Sequence, residues 1–207
     1  MEQPIISVII PTYRCAGRLP ALLACLKAQT FGLDRLEILF ADDGSPDGTG
    51  DAAAALAAKY GNIRALCLPE NSGFGGAARN AALRAASAPY LMFLDADDRL
   101  PENACALLYE EMARGDADLV TGYCRRVAPD GAVIAEIAPA YAAVPAHTSE
   151  LPRELPRELL MRDSFSARLY RRELVAAHGL FFPEGTPGED IFFLYSYLLR
   201  CKKAVYL

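Results

Sequence analysis

The sequence Tyr90-Leu91-Met92-Phe93-Leu94-Asp95-Ala96-Asp97-Asp98 places a continuous apolar run directly before three carboxylates. An apolar run of this length, preceded by Pro89, is typical of a strand that is buried on both faces of a parallel sheet. The aspartates would then lie at the carboxyl end of that strand. Open α/β sheets bind their ligands at this edge.

The three carboxylates of this stretch repel one another strongly. At about 4 Å and an effective dielectric constant of about 20, each pair costs about 4 kcal/mol, which raises the pKa of at least one carboxyl group. A divalent cation would relieve the repulsion, and oxygen ligands suit Mg²⁺ or Mn²⁺. The alternative is that Asp97 and Asp98 cap the next helix while Asp95 is solvated.

The composition excludes several classes of protein. A chain of 207 residues suits one large domain, and its net charge of −5 argues against a nucleic-acid partner. The six cysteines form no CxxC pair, which favours a reducing compartment and argues against disulfides or a zinc site. No apolar run approaches the roughly 20 residues of a membrane span. We expect a cytoplasmic protein, with peripheral contact at the inner face of the membrane as an option.

Strands and helices alternate along the first half of the chain. Strands are predicted at 5–10 (ended by Pro11), 36–41, 63–68, 90–94 and 118–123, and helices at 17–30, 49–59, 77–86 and 102–114. This alternation predicts an α/β fold with a mostly parallel, doubly wound sheet. Right-handed crossovers place Pro11-Thr12-Tyr13, Asp42-Asp43 and the Asp95–Asp98 cluster at one edge. Three polar clusters at one edge favour a ligand site over simple capping.

The second half of the chain has a different character. Residues 125–160 contain a hairpin-like turn at Pro129-Asp130-Gly131 and a proline-punctuated repeat at 151–158, and we interpret them as a variable lobe. A basic helix is predicted over Ser166–Ala177, an aromatic helix over Ile191–Arg200, and a strand over Ala204–Leu207. The aromatic residues of the second helix are expected in the core: Phe192, Phe193, Tyr195 and Tyr197. The basic residues Arg168, Arg171 and Arg172 could contact an anionic acceptor or membrane surface, or form a solvated face.

Taken together, these motifs resemble those of the family 2 glycosyltransferases of GT-A fold, over nearly the whole chain. Ser7–Tyr13 is similar to the opening strand of that family, and Asp42-Asp43-Gly44-Ser45 to its nucleotide-binding turn. The stretch from Asn71-x-Gly73 through Ala78-Arg79-Asn80 is similar to its third signature. Asp95-Ala96-Asp97-Asp98 is similar to its DxD motif. Gly188-Glu189-Asp190 is similar to the Glu-Asp pair that carries the catalytic base.

The resemblance implies transfer, with inversion, of a sugar from a nucleotide diphosphate sugar, usually a UDP-sugar. It also implies bound Mn²⁺ or Mg²⁺ and a glycan or lipid-linked acceptor, as in cell-surface polysaccharide synthesis. We expect one catalytic domain over 1–207, with a nucleotide-sugar-binding half at 1–123 and an acceptor-side half at 124–207. The chain ends soon after its last predicted strand, so we expect a carboxyl-terminal truncation. Some relatives carry a metal-ligating histidine beyond that point, and many have asparagine where Arg14 stands.

The resemblance also suggests a role for each matched position. Asp190 would be the base, beside Glu189, because a helix N-terminus keeps a carboxylate ionised; the alternative is that both acids only satisfy the first turn of the helix. Asp97 and Asp98 would ligate the metal. The residues that would bind the donor nucleotide are Pro11, Thr12, Tyr13, Asp42 or Asp43, Gly73, Arg79, Asp95 and Ala96.

Two other functions remain open at this stage. Gly73-Phe74-Gly75-Gly76-Ala77-Ala78 fits a loose GxGxxA fingerprint of a nicotinamide-dependent oxidoreductase. The context opposes this interpretation, because the glycines follow the third predicted strand and are separated from it by Pro69–Ser72. The fingerprint normally follows the first strand. The second alternative is a catalytically inactive module that binds sugar nucleotides without transferring them.

Overall fold

The computed structural model describes residues 3–122, 124–128, 130–134, 147–149 and 166–207. The strands are β1 Ile6–Thr12, β2 Leu36–Asp42, β3 Ile63–Cys67, β4 Tyr90–Phe93, β5 Leu119–Thr121, β6 His147–Ser149, β7 Arg168–Arg171 and β8 Ala204–Tyr206. The α-helices are α1 Leu19–Lys27, α2 Thr49–Lys59, α3 Gly76–Ala85, α4 Ala104–Arg114, α5 Arg172–Ala177 and α6 Glu189–Leu198.

The strands of the described residues form one eight-stranded sheet in the order β3-β2-β1-β4-β7-β5-β8-β6. β1 lies between β2 and β4 and is parallel to both, and β3 is parallel to β2. The register places Thr12 opposite Asp42 and Ile9 opposite Phe93, so these strands end at the same edge. The mostly parallel α/β sheet predicted from the sequence is confirmed.

The central strands are apolar throughout because both faces of the sheet are covered. Val8 and Ile10 pack on one face, in a core shared with α1 and α4. Ile9 and Phe93 pack on the other face, in a core shared with α3 and α6. Alternate residues of one strand therefore enter different cores, which explains the continuous apolar run.

Residues 168–171 form strand β7, so the predicted basic helix over Ser166–Ala177 is wrong in its first part. β7 lies between β4 and β5 and is antiparallel to both. Leu169 packs in one core and Tyr170 in the other, and both are fully buried. Only the period of two of a strand sends neighbouring residues to opposite faces. The helical part, α5, begins at Arg172.

Smaller differences from the prediction concern Pro11 and the variable lobe. β1 continues through Pro11 to Thr12, because Pro11 lies past the last residue pair between β1 and β4, where its missing N–H removes no ladder bond on that side. Val127 bridges Val133 across the predicted turn, which confirms the hairpin. The 151–158 repeat lies outside the described residues. Among the residues that are described, no helix has the length and hydropathy needed to cross a membrane.

Candidate active site

A cavity of about 190 Å³ opens at the carboxyl edge of β1 and β2. The aromatic rings of Tyr13 and Phe74, each about two-fifths exposed, lie at its wall. Five of the nine residues that line this cavity were predicted to bind a nucleotide. The other four lie between residues 71 and 78 and were given no binding role from the sequence. The full lining is Pro11, Thr12, Tyr13, Asp43, Asn71, Gly73, Phe74, Gly75 and Ala78.

Asp43 is buried, and its carboxylate holds the glycine-rich loop of residues 71–76 against the end of β2. Asn71 Nδ2 donates to Oδ2 at 2.8 Å, and the Ser72 hydroxyl donates to Oδ1 at 2.8 Å. The backbone N–H of Ser72 also donates to this carboxylate. Asp43 therefore fixes the shape of the cavity wall that it forms.

Asp42 is equally buried but has another role. Its Oδ2 accepts a hydrogen bond from the Ser45 N–H at 3.0 Å, and its Oδ1 accepts one from the Ser45 hydroxyl. Asp42 closes the turn after β2 and is not among the residues that line the cavity. Of the two aspartates that the sequence left as alternatives, the geometry places Asp43 at the cavity.

Arg79, predicted to approach the nucleotide, bridges two carboxylates in this structure. Its Nη2 lies 2.7 Å from Asp95 Oδ1 and its Nη1 lies 2.9 Å from Glu189 Oε1. The Arg79 and Glu189 side chains are both buried, whereas Asp95 is partly exposed. The guanidinium group therefore ties the end of β4 to the start of α6. In this structure the Glu189 carboxylate pairs with Arg79, and its predicted place beside the catalytic base stays a prediction.

The carboxylates after β4 do not cap the following helix, because α4 begins at Ala104 with Asn103 at its N-cap position. Asp97 is about two-thirds exposed, and Arg18 Nη1 lies 3.8 Å from its Oδ2. Partial loss of solvent, together with the charges of Asp95 and Asp97, raises the pKa of Asp98, although a hydrogen bond from Ser166 opposes this. Ala96, which lies between Asp95 and Asp97 in the sequence, packs against the core.

This crowded acidic turn fits a divalent cation that shares its coordination sphere with a substrate. Partial burial contributes most to the raised pKa of Asp98, and the negative charges of Asp95 and Asp97, which a cation would offset, add to it. In the part of the chain that the structure describes, no three His, Cys, Asp or Glu side chains converge to hold a metal. Mg²⁺ is commonly bound by one or two carboxylates together with substrate phosphates. Asp97 and Asp98 match that pattern.

Asp190 occupies the second position of α6, after Gly188 at the N-cap. It is partly exposed, in contrast to its buried neighbour Glu189. Burial raises the pKa of Tyr170, and the negative charge of Asp190 raises it further, whereas Arg168 lowers it. Asp190 therefore lies within electrostatic reach of the buried β7 residue Tyr170.

Two buried polar side chains make contacts that were not predicted from the sequence. The Asn80 side chain is hydrogen-bonded to residues 182–184. Its Nδ2 donates to Phe182 O at 2.8 Å and to Glu184 Oε1 at 2.9 Å. Arg168, predicted on a helix surface, is a buried β7 residue that donates to Thr121 Oγ1 at 3.0 Å. Along α6, Phe193 and Tyr197 are buried as predicted, but Phe192 and Tyr195 are exposed.

Comparison with known families now defines the class of protein. Residues 7–179 match the family described as Glycosyl transferase family 2, and this match gives no support to the oxidoreductase interpretation. The match spans well over half of the chain. The chain belongs to glycosyl transferase family 2. Glu189 and Asp190 lie beyond the matched residues.

Relatives of known structure confirm the GT-A fold. TarS of S. aureus, residues 1–349, in complex with UDP-GlcNAc, superposes with a TM-score of 0.77 at 24% identity, covering 98% of this chain and 56% of TarS 1–349. The mannosyltransferase PcManGT of Pyrobaculum calidifontis, in complex with GDP-Man and Mn²⁺, gives a TM-score of 0.69 at 21% identity, covering 100% of this chain and 55% of PcManGT. At these identities the likeness establishes the fold alone.

A curated relative is closer in sequence. The poly(ribitol-phosphate) β-N-acetylglucosaminyltransferase TarP of Staphylococcus aureus is 32% identical over 117 residues, which are 56% of this chain and 36% of TarP. The chain spans about half or less of the length of the curated relatives that it matches first.

Proposed function

We propose that this protein is a metal-dependent, inverting glycosyltransferase that uses a nucleotide diphosphate sugar, with a UDP-sugar favoured. The acceptor would be a hydroxyl group of a glycan or lipid-linked molecule in cell-surface polysaccharide synthesis. One observation carries the proposal. The cavity, the acidic turn of Asp97 and Asp98, and the α6 N-terminus with Asp190 all lie at one edge of the sheet, linked through Arg79.

The cavity would receive the nucleoside. Its wall combines exposed aromatic rings with polar groups, and aromatic side chains stack on nucleobases of any sequence. The UDP-GlcNAc complex of TarS and the name of TarP support a UDP-sugar. The same fold in PcManGT accompanies GDP-Man, so the identity of the base is the first property to test.

Asp97 and Asp98 would hold Mn²⁺ or Mg²⁺, supported by the Mn²⁺ in the PcManGT complex. When bound, the cation acts as a Lewis acid that offsets the charge of the departing diphosphate. Arg79 restrains the neighbouring Asp95 through its 2.7 Å ion pair, and Ser166 donates to Asp98. The chain's own contribution is thus to hold the carboxylates of this turn in place.

Asp190 would take the proton of the acceptor hydroxyl. Its place in the first turn of α6 favours the ionised carboxylate that a general base requires. The acceptor oxygen forms a bond to the anomeric carbon while the bond to the diphosphate breaks, and the electron pair leaves with the diphosphate. Attack opposite the leaving group inverts the anomeric configuration.

The test is a panel of nucleotide sugars with and without Mn²⁺, read as release of nucleoside diphosphate. Asp190→Asn should lower turnover by about 10²–10⁴-fold, the usual contribution of a general base, while binding of UDP measured by calorimetry stays unchanged. Asp51→Asn is the matched control, because Asp51 is an exposed aspartate in the first turn of α2. Normal turnover by Asp190→Asn would contradict the assignment, and absence of turnover in the wild-type protein would contradict the function.

A further inference from the structure

Two adjacent residues of α3, Arg79 and Asn80, hold the segment that leads into α6. The Asn80 amide donates to Phe182 O and to Glu184 Oε1, and its Oδ1 accepts from the Phe182 N–H at 2.9 Å. Arg79 Nη1 pairs with Glu189 at 2.9 Å, one residue before Asp190. Both ends of the 182–189 segment are therefore fixed to one helix.

The first turn of α3 also packs directly on this segment. A Cβ atom at Gly76 would overlap Pro183 O and would lie 3.4 Å from Glu189 Cγ. Only glycine allows so close an approach between the two backbones. Gly76 of the glycine-rich stretch thus serves helix packing, whereas Gly73 borders the cavity.

Phe182, at the start of the segment, is buried and stacks on Phe193 of α6, but the stretch after it contains little that would fix its position. Residues 184–188 are exposed and form no regular secondary structure, and Gly185 and Gly188 have φ values of +67° and +78°. Asp190 follows directly. Farther along α6, Phe193 and Tyr197 anchor the helix in the core. The contacts that α3 makes with Phe182, Glu184 and Glu189 add the restraint on either side of the exposed stretch.

We propose that Arg79 and Asn80 are positioning residues for Asp190, an inference that rests on the proposed function. Nη2 of Arg79 pairs with Asp95, which precedes the proposed metal ligands, and Nη1 pairs with Glu189, which precedes Asp190. One planar group therefore sets the separation between the acidic turn and the start of α6. Asn80 fixes the approach to α6 without contacting the cavity or the acidic turn.

Asn80→Ala is the decisive variant, because Asn80 touches neither the cavity nor the proposed metal ligands. We expect kcat for Mn²⁺-dependent hydrolysis of UDP-N-acetylglucosamine, or of whichever UDP-sugar the panel selects, to fall about 10- to 100-fold, since small displacements of a catalytic group cost up to about 10². The dissociation constant for UDP should change less than about twofold. In an Asp190→Asn background, Asn80→Ala should lower the residual rate no further, because residues that act as a unit are non-additive.

Gly76→Ala supplies an independent perturbation of the same contact and should reproduce the loss of kcat. Gly115→Ala is its matched control, because a Cβ there would lie 3.8 Å from Lys203 Nζ, an ordinary contact. Gly115→Ala should behave as wild type. Equal effects of the two alanine substitutions on kcat would overturn the inference.

Hydrogen exchange tests the placement without any turnover. Asn80→Ala should speed amide exchange in peptides that cover residues 182–190, and should leave peptides of β1 and β2 unchanged. Unaltered exchange at 182–190, a weakened affinity for UDP with unchanged kcat, or additive loss in the Asp190→Asn background would overturn this inference alone. A wild-type protein that releases UDP from no donor would overturn the proposed function and this inference with it.

Discussion

The two aspartate pairs at the carboxyl edge of the sheet have the same side chains in opposite surroundings. Asp42 and Asp43, after β2, are almost fully buried and accept several hydrogen bonds from Ser45, Asn71 and Ser72. Asp97 and Asp98, after β4, are exposed. Arg18 Nη1 lies 3.8 Å from Asp97 Oδ2. One pair shapes a wall, and the other presents charge to the solvent.

The difference shows that environment, not residue type, decides whether a carboxylate at this edge is committed to protein hydrogen bonds or stays open to solvent. A buried carboxylate is tolerated only when hydrogen bonds replace its lost hydration. Once those bonds are made, little of its charge is available to a cation. The pair after β4 keeps its charge available, and the pKa of Asp98 is raised by partial loss of solvent and by the charges of Asp95 and Asp97.

The largest effect is expected when the exposed pair loses its charge. Asp97→Asn combined with Asp98→Asn should lower Mn²⁺-dependent turnover at least about a hundredfold, because cation binding supplies several kcal/mol of transition-state stabilisation. The melting temperature without metal should change by no more than about 2 °C, as expected of exposed positions. Added Mn²⁺ should raise the melting temperature of the wild type but not that of the double variant. If the double variant retained Mn²⁺-dependent turnover, the proposed role of Asp97 and Asp98 as metal ligands would be wrong.

The buried pair should respond in the opposite way. Asp43→Asn would turn an amide N–H₂ toward the donors of Asn71 and Ser72, and such a mismatch costs about 1–3 kcal/mol. For a chain of this length the melting temperature should fall by about 2–12 °C. Asp97→Asn, the same substitution in the exposed pair, is the control. Equal melting temperatures for the two variants would show that the surroundings do not distinguish the pairs.

The smallest expected effect concerns Asp98 in metal-free protein. Its raised pKa means that the folded state binds this proton more tightly than the unfolded state, so stability falls as the pH rises through the interval above the ordinary value of 3.8. Asp98→Asn should therefore raise the melting temperature at pH 7, in the presence of a chelator, by about 1 °C. The advantage should vanish as the pH is lowered toward 3.8. A constant difference across this range would mean that Asp98 is not electrostatically crowded.

Much of this edge could be predicted from the sequence because burial on both faces leaves a clear pattern. The apolar runs of β1, β2 and β4 end at polar residues, and parallel topology then brings those residues to one edge. The cavity residues Pro11, Thr12, Tyr13 and Asp43 were placed together in this way, whereas Gly73 was assigned through the resemblance to the family. The capping alternative for Asp97 and Asp98 was wrong because α4 begins later than expected.

The remaining features depend on contacts between distant residues. Arg79 and Glu189 are 110 positions apart, and no local pattern indicates that they pair. Arg168 and Arg171 have helix-favouring side chains, yet the two cores on either side of β7 impose a strand. Phe192 and Tyr195 were expected in the core, but α6 turns these rings outward while Phe193 and Tyr197 face the sheet.

The insertion of β7 between β4 and β5 has a consequence for how the protein is made. During synthesis, the strands that form the cavity emerge first, but one side of β4 has no neighbour until residues 168–171 leave the ribosome. An uncovered strand edge can pair with another chain and aggregate. A fragment ending at residue 123 would contain every residue that lines the cavity and would still expose this edge. We therefore expect that residues 1–123 alone do not form a separable folding unit.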